Sequence, residues 1–328
     1  MSKNLVIVES PTKEKTIKKF LGSSYSVKSS MGHVRDLPKS ELGIDIENNF
    51  EPKYITIRGK GELLGALRKE TKSADKIYLA TDPDREGEAI SWHLMHALNL
   101  EGKNVSRISF NEITKDAVKR AIKEARDIDM NLVNAQQARR VLDRLVGYSV
   151  SSLLWEKVKK GLSGGRVQSV ALRIICDREE EIANFIPVEH WSITAKLKNS
   201  QDKDFESKFY GKGDQKTELN SKEEAEAVLK AIKNKDFIVE DIKKSVRKRN
   251  PLAPFSTSTL QQDASRYLSM TVQKTMTVAQ QLYEGINIKG EGTVGLVSYI
   301  RTDSVRISDE AYNSVKDFIA KRYGDEFL

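Results

Sequence analysis

The first third of the chain repeats one pattern three times: a short apolar run, then a run with helical spacing. Leu5 to Val8 are apolar without alternation, which marks a strand buried on both faces. "TKEKTIKKFL" follows, with Ile17, Phe20 and Leu21 on one helical face. "KIYLA" ends at Ala80 and is followed by "EGEAISWHLMHAL", and "VSRISF" is followed by "TKDAVKRAIKEAR". Strands alternating with helices predict an α/β domain with a parallel sheet over about residues 1–125. Ligands of such sheets bind beyond the carboxyl ends of the strands, where Glu9 and Asp82 fall.

The pattern then changes. Residues 130–185 read as helical and basic. Over about residues 189–249, "HWSITAKLK" and "FESKFYG" read as strands and "SKEEAEAVLKAIKN" as a helix opened by Ser221. "KKSVRKRNP" marks a boundary near residue 250. Over 250–328, "STSTLQQDASRYLS" and "MTVQKTMTVAQQLYEG" predict helices with Ser/Thr starts, "TVGLVSYIR" a strand, and "ISDEAYNSVKDFIAKRYG" a last helix. Four segments are expected, in a multidomain chain of α/β and α+β character.

Composition narrows the partners. The 328 residues carry 55 Lys+Arg against 47 Asp+Glu, a net charge of +8 that favours a polyanionic partner. From Arg139 to Arg178, nine basic residues face three acidic ones. The lone Cys176 excludes an intramolecular disulfide and a cysteine-based zinc site. No run approaches the roughly 20 apolar residues of a membrane span, and the start lacks a signal-peptide core, so a cytoplasmic protein without membrane contact is expected. No G-x-x-x-x-G-K-[ST] loop is present, which argues against a P-loop ATPase.

Against this basic background, "ATDPDREGEAI" packs Asp82, Asp84, Glu86 and Glu88 into seven residues. Two readings compete. The acids cap a helix and complement its dipole, or a strand–turn–helix corner brings Asp82, Asp84 and Glu86 together around a hard cation such as Mg²⁺. Glu9, at the end of the first strand, tips the choice towards metal. Lys13, four residues later, is a candidate phosphate contact or a solvated helix lysine. In "GLVSYIRTDS", strand alternation puts Val297, Tyr299 and Arg301 on one face. A phenol of ordinary pKa near 10 is a poor nucleophile unaided. A neighbouring guanidinium stabilises phenolate character and phosphate charge. A strand tyrosine beside a surface arginine is the plainer reading.

Taken together and in order, "VIVESPTKEKTI", "GHVRDLP", "ATDPDREGEAIS", "FNEIT", "ARRVLDRLVGY", "GLSGGRVQSVAL", "PFSTSTLQQDAS" and "GLVSYIRTDS" closely resemble the type IA topoisomerases, specifically the bacterial topoisomerase I group. The resemblance implies a Toprim fold for residues 1–125, with Mg²⁺ held by Glu9, Asp82, Asp84 and Glu86. It implies a helical single-strand-binding segment at 126–188, part of a gate arch at 189–249, and an incomplete domain carrying the nucleophile at 250–328. The implied chemistry is ATP-independent transesterification. Tyr299 attacks a phosphodiester to form a 5′-phosphotyrosine and release a 3′-hydroxyl. Arg301 stabilises the phosphate and contacts DNA, while Lys13 and Glu9 assist at the leaving oxygen. Further implied DNA contacts are His33, Arg139, Arg140, Asp143, Tyr148, Trp155 and the run Ser163, Gly164, Gly165, Arg166, Val167 and Gln168. The family usually has another small residue at Gly164, a departure of little expected consequence. Asp143, four residues after Arg139, is positioned on a helix to orient it. Tyr148 and Trp155, seven apart, suit stacking on bases, or else helix packing.

The implied partner is DNA, single-stranded or negatively supercoiled, bound by a monomer without a nucleotide cofactor and associated with the nucleoid. Family members continue well past the equivalent of Leu328, so an N-terminal fragment of doubtful own activity is expected. Two alternatives stand beside this reading. One is another metal-dependent Toprim enzyme, such as a primase or nuclease. The other is a non-catalytic single-strand binder.

Overall fold

The computed structural model describes residues 4–213 and 215–328. The chain forms two compact units, one running through Arg166 and resuming at Pro251–Leu328, the other Val167–Asn250.

The first unit is built on β1 (Asn4–Val8), α1 (Pro11–Phe20) and β2 (Tyr25–Ser29). Two-residue strands β3 (Arg35–Asp36), β4 (Ile44–Asp45), β5 (Glu51–Pro52) and β6 (Ile55–Thr56) pair as β3–β6 and β4–β5. Then come α2 (Gly61–Ser73), β7 (Lys76–Leu79), α3 (Arg85–Leu98), β8 (Val105–Arg107), α4 (Lys115–Lys123) and the long α5 (Met130–Lys157). The main sheet has the order β2-β1-β7-β8 and is parallel at every pairing. The unbroken apolar runs have the expected cause: both faces of the sheet are covered. Val6 and Val8 face a cluster that includes Ile17 of α1 and Val118 of α4. Leu5 and Ile7 face Leu64 and Leu67 of α2 and Leu94 of α3. Each such side chain contributes roughly 1.5–3 kcal/mol on burial.

In the second unit, α6 (Arg166–Ala183), whose first residue belongs to the first unit, leads to β9 (Thr194–Lys198) and β10 (Asp204–Lys208). These two pair antiparallel, and Lys198 lies opposite Asp204. The short pair β11 (Gly211–Lys212) and β12 (Gln215–Lys216) and the helix α7 (Lys222–Ile232) follow. Ser221 caps α7 by accepting from Glu224 N. No residue of α6 is buried.

The first unit resumes with α8 (Thr257–Leu268), α9 (Val272–Glu284), β13 (Ile286–Ile288), β14 (Gly292–Val294) and α10 (Asp309–Tyr323). Tyr283 of α9 and the adjacent pair Tyr299 and Ile300 join the Val6 and Val8 face of the parallel-sheet core. Here the sequence expectation needs correcting, because the strand read into "TVGLVSYIR" stops at Val294. Beyond it the backbone bonds to separate partners: Leu296 N donates to Leu282 O and Tyr299 N to Asn111 O. With no ladder, the period-two rule lapses. Tyr299 and Ile300 are both buried while Arg301 is exposed.

Candidate active site

Two neighbouring parallel strands deliver the acids. Register pairs Ile7 with Leu79, so the chain leaves β1 and β7 side by side. Past β1, Ser10 caps α1 by accepting from Lys13 N at 3.2 Å. Past β7, Thr81 Oγ1 donates to Gly87 O at 2.6 Å, and Asp84 caps α3 by accepting from Gly87 N at 2.8 Å. The turn closes so tightly that a Cβ on Gly87 would lie 2.1 Å from Asp82 O, so only glycine fits.

The acids fan out from this turn instead of meeting at one point. Lys13 Nζ, fully buried, bonds both Glu9 and Asp82. The solvated-lysine reading of Lys13 is therefore wrong, because its ammonium sits inside the acidic corner. Burial alone would lower its pKa, but Glu9 and Asp82 outweigh that and hold it above the ordinary lysine value. Burial pushes Glu9 up to about 7 despite the opposing Lys13 charge, and Glu9 Oε2 is buried without a partner. Asp84 both caps the helix and accepts from Tyr299 Oη at 2.7 Å. Glu86 Oε2 accepts from Gln136 Nε2 at 3.2 Å and lies 3.6 Å from His33 Nε2. Burial depresses the His33 pKa. Among the described residues, no three His, Cys, Asp or Glu side chains stand together as a metal-binding group. The fan has a physical cause, since side chains at successive turn and first-turn positions diverge and like charges repel.

Tyr299 reaches this corner from 215 residues away in sequence. Its hydroxyl is held in the protonated form: burial first, then the Asp82 charge and the bond to Asp84, raise its pKa far above that of a free phenol, while Arg301 opposes them. Arg301 Nη1 lies 3.5 Å from the same Asp84 oxygen. The expected closeness of Tyr299 and Arg301 thus holds without the strand that predicted it. The segment is anchored by Thr257, whose hydroxyl donates to Ile300 O at 2.6 Å and accepts from Thr302 N at 2.9 Å. A cavity of about 600 Å³ opens beside Tyr299, lined by Asn111, Arg120, Arg301 and Arg306 among others.

The α5 residues form a second, more open surface. Arg140 grips Asp36 with two bonds of 2.8 Å. Asp143 lies 3.8 Å from Arg139 but bonds Arg166 more closely, at 2.9 Å, so its main partner is not the one that helical spacing suggested. Tyr148 Oη donates to Lys39 O at 2.9 Å and accepts from Arg144 at 2.8 Å. Trp155 is 51% exposed and donates to Leu162 O. Ser163 is exposed, Gly165 half-buried, and Gly164 N donates to Ser151 Oγ at 3.2 Å. A Cβ at Gly164 would fall 2.2 Å from Val150 Cγ1, so even a small replacement there must displace that side chain. Val167 and Gln168 are exposed in the first turn of α6.

Sequence reasoning missed Tyr283. Its ring meets Tyr299 edge-on at 5.3 Å and lies under the Lys13 ammonium at 4.9 Å. Nothing in a helix-period run distinguishes it from core packing. It also missed Arg107, although a lone arginine ending an apolar strand was a visible signal.

The comparisons with known proteins agree with this architecture. Residues 4–113 match the Toprim domain, and residues 127–328 match the family described as DNA topoisomerase. The structure of full-length topoisomerase I from Thermotoga maritima, in a monoclinic crystal form, matches with a TM-score of 0.85 and 43% identity. That match covers 98% of this chain and 53% of the Thermotoga chain. This chain belongs to the DNA topoisomerase family, in its bacterial type IA branch. It spans about half the length of the solved relative it matches.

Proposed function

We propose that this chain carries the strand-cleaving centre of an ATP-independent type IA DNA topoisomerase that relaxes negative supercoils. The observation that carries the reading is the bond from Tyr299 Oη to Asp84 Oδ2 inside the Toprim acidic corner. Tyr299 Oη attacks a backbone phosphorus of single-stranded DNA. The O–P bond to tyrosine forms as the P–O3′ bond breaks, leaving a 5′-phosphotyrosine and a 3′-hydroxyl. On this reading Asp84, which accepts from Tyr299 Oη, takes the phenol proton, and Lys13, paired with Glu9 and Asp82, gives one to the departing 3′ oxygen. Arg301 offsets charge on the phosphate. Religation reverses these transfers, and the phosphotyrosine conserves the bond energy, so no nucleotide is consumed.

A hard divalent cation suits the donor set. The buried, unpartnered Glu9 Oε2 is an acceptor in want of a positive partner, and Asp82, Asp84 and Glu86 supply further carboxylate oxygens. Mg²⁺ would neutralise the corner and orient a DNA phosphate once Asp82, Asp84 and Glu86 turned from their present partners, Lys13, Tyr299 and Gln136, to join Glu9 around it. His33, Arg139, Arg140, Arg166 and the Ser163–Gln168 run hold the strand, and Tyr148 and Trp155 stack on bases. On this reading the segments 1–125, 126–188, 189–249 and 250–328 are metal, strand-binding, gate-arch and nucleophile regions. The protein works as a monomer on cytoplasmic, nucleoid DNA. Among the described residues no helix is long and apolar enough to cross a membrane.

The test is transfer of 3′-labelled single-stranded DNA to protein on a denaturing gel, in a version of the protein extended to the length of its solved relative. A Mg²⁺-dependent labelled band that needs no ATP is expected. A band of undiminished intensity from folded Tyr299→Phe would exclude the mechanism.

A further inference from the structure

Arg107 and Glu88 are almost wholly buried, at 0% and 1% side-chain exposure, yet neither touches the reacting phenol. Burying such a pair is weak evidence for stability, since apolar residues of similar volume often serve as well. Its donors explain its presence better. Arg107 Nη1 donates to Leu79 O at 3.2 Å and Thr81 O at 2.8 Å, and also to Ile108 O. Nη2 donates to Asp82 O at 2.6 Å, and Nε to Glu88 Oε2 at 3.0 Å. The guanidinium therefore clamps the acidic turn at its entry through three carbonyls and at its exit through Glu88. Glu88 is in turn held from outside. Arg126 donates to both its oxygens, at 2.8 and 3.0 Å, and Asp129 N donates at 2.7 Å. Asp129 is the N-cap of α5, the helix that bears Arg139 and Arg140. One carboxylate thus ties the acidic turn to the start of the strand-binding helix.

We infer that Glu88 and Arg107 are positioning residues that fix the acidic turn, setting the direction of the Asp82 carboxylate and anchoring the turn to α5. Only the metal readout below rests on the Mg²⁺ reading. The experiment uses the 328-residue chain and the variants Glu88→Gln and Arg126→Met. Glu88→Gln keeps the shape of the hub but removes its charge. Arg126, half-exposed, can be replaced with little risk to folding and withdraws two donors from Glu88. Amide hydrogen exchange is followed by mass spectrometry in chelator. Mg²⁺ affinity is measured by calorimetry, and affinity for a single-stranded oligonucleotide by anisotropy in chelator.

Amides of residues 80–88 should exchange about ten-fold faster or more in Glu88→Gln, and less markedly so in Arg126→Met, while those of β1 and α1 stay unchanged. Mg²⁺ affinity should fall about ten-fold or more in Glu88→Gln, with oligonucleotide affinity within about two-fold of the parent. Should Glu88→Gln fail to fold, selective loosening of the turn in Arg126→Met still supports the inference, and its absence overturns it. Unchanged exchange in the turn overturns it, and so does uniform acceleration across the unit, which would mean a purely structural pair. Selective loosening of the turn, combined with Mg²⁺ binding that is the same in the parent and Asp82→Asn, leaves the positioning role standing and removes the metal reading.

Discussion

The acidic corner and the outer face of α5 both pair carboxylates with cations, but in opposite surroundings. In the corner, Lys13 has no exposed side-chain surface, and Glu9 and Asp82 have 10% and 17%. On α5, Arg139, Asp143 and Arg166 keep 35–41% of their side chains exposed. Buried charges that lose a partner are strongly penalised, so the corner is held to one arrangement. Exposed pairs gain little from each other and are screened by salt. The α5 arginines can therefore exchange a carboxylate for a phosphate at low cost. The contrast separates a region held to one geometry from one whose ion pairs remain open to solvent.

The sharpest way to break that division is to remove the hydroxyl that Tyr299 holds against Asp84. Tyr299→Phe keeps the ring against Tyr283 and loses the hydroxyl, so covalent transfer of labelled DNA should disappear from the longer protein while oligonucleotide binding persists.

A large effect on stability should follow from Lys13→Met. It strips the buried cation from two mostly covered carboxylates and should cost about 3–5 kcal/mol in urea unfolding at pH 8, and less at pH 5 where a proton can substitute. The same region predicts a pH signature. Glu9 has a folded pKa of about 7 against an ordinary 4.5, so between those values the folded chain binds a proton that the unfolded chain has released. Stability from this group is therefore greatest below pH 4.5 and falls as pH rises to about 7, with a slope of at most about 1.4 kcal/mol per pH unit. Glu9→Gln should flatten that slope in a series of urea titrations. An unchanged slope would mean that the corner is less buried than described.

On the α5 side the effects should fall on binding. Trp155→Ala should weaken oligonucleotide affinity by about 1–3 kcal/mol if the ring stacks on a base. It should also lower the melting temperature modestly, because Trp155 is only 51% exposed and its donation to Leu162 O is lost. The smallest changes belong to Arg139→Ala and Arg166→Ala. Each should reduce the slope of log affinity against log salt by about 0.7. Anisotropy titrations at several salt concentrations would measure this, and equal slopes for parent and variants would place the strand elsewhere.

The sequence by itself determined the elements that obey local rules. Leu5 to Val8 read as a strand covered on both faces and "KIYL" as another strand, and Ser221, Ser256 and Thr271 cap helices at the Ser/Thr starts that the sequence shows. Eight ordered motifs were enough for the family. The tertiary structure decided what those rules do not reach. It ended the last strand at Val294, because the backbone beyond it found partners in Leu282 and Asn111 rather than in a ladder. It turned Lys13 inward, since two carboxylates from different strands together outweigh the loss of water. It sent Asp82, Asp84 and Glu86 to three different partners, although their spacing suggested one meeting point. It also brought Tyr299 to Asp84, and Arg107 to both ends of the acidic turn. Spacing along a chain specifies which residues share a face of one element. Which faces meet depends on packing between elements far apart in sequence, and no local pattern carries that information.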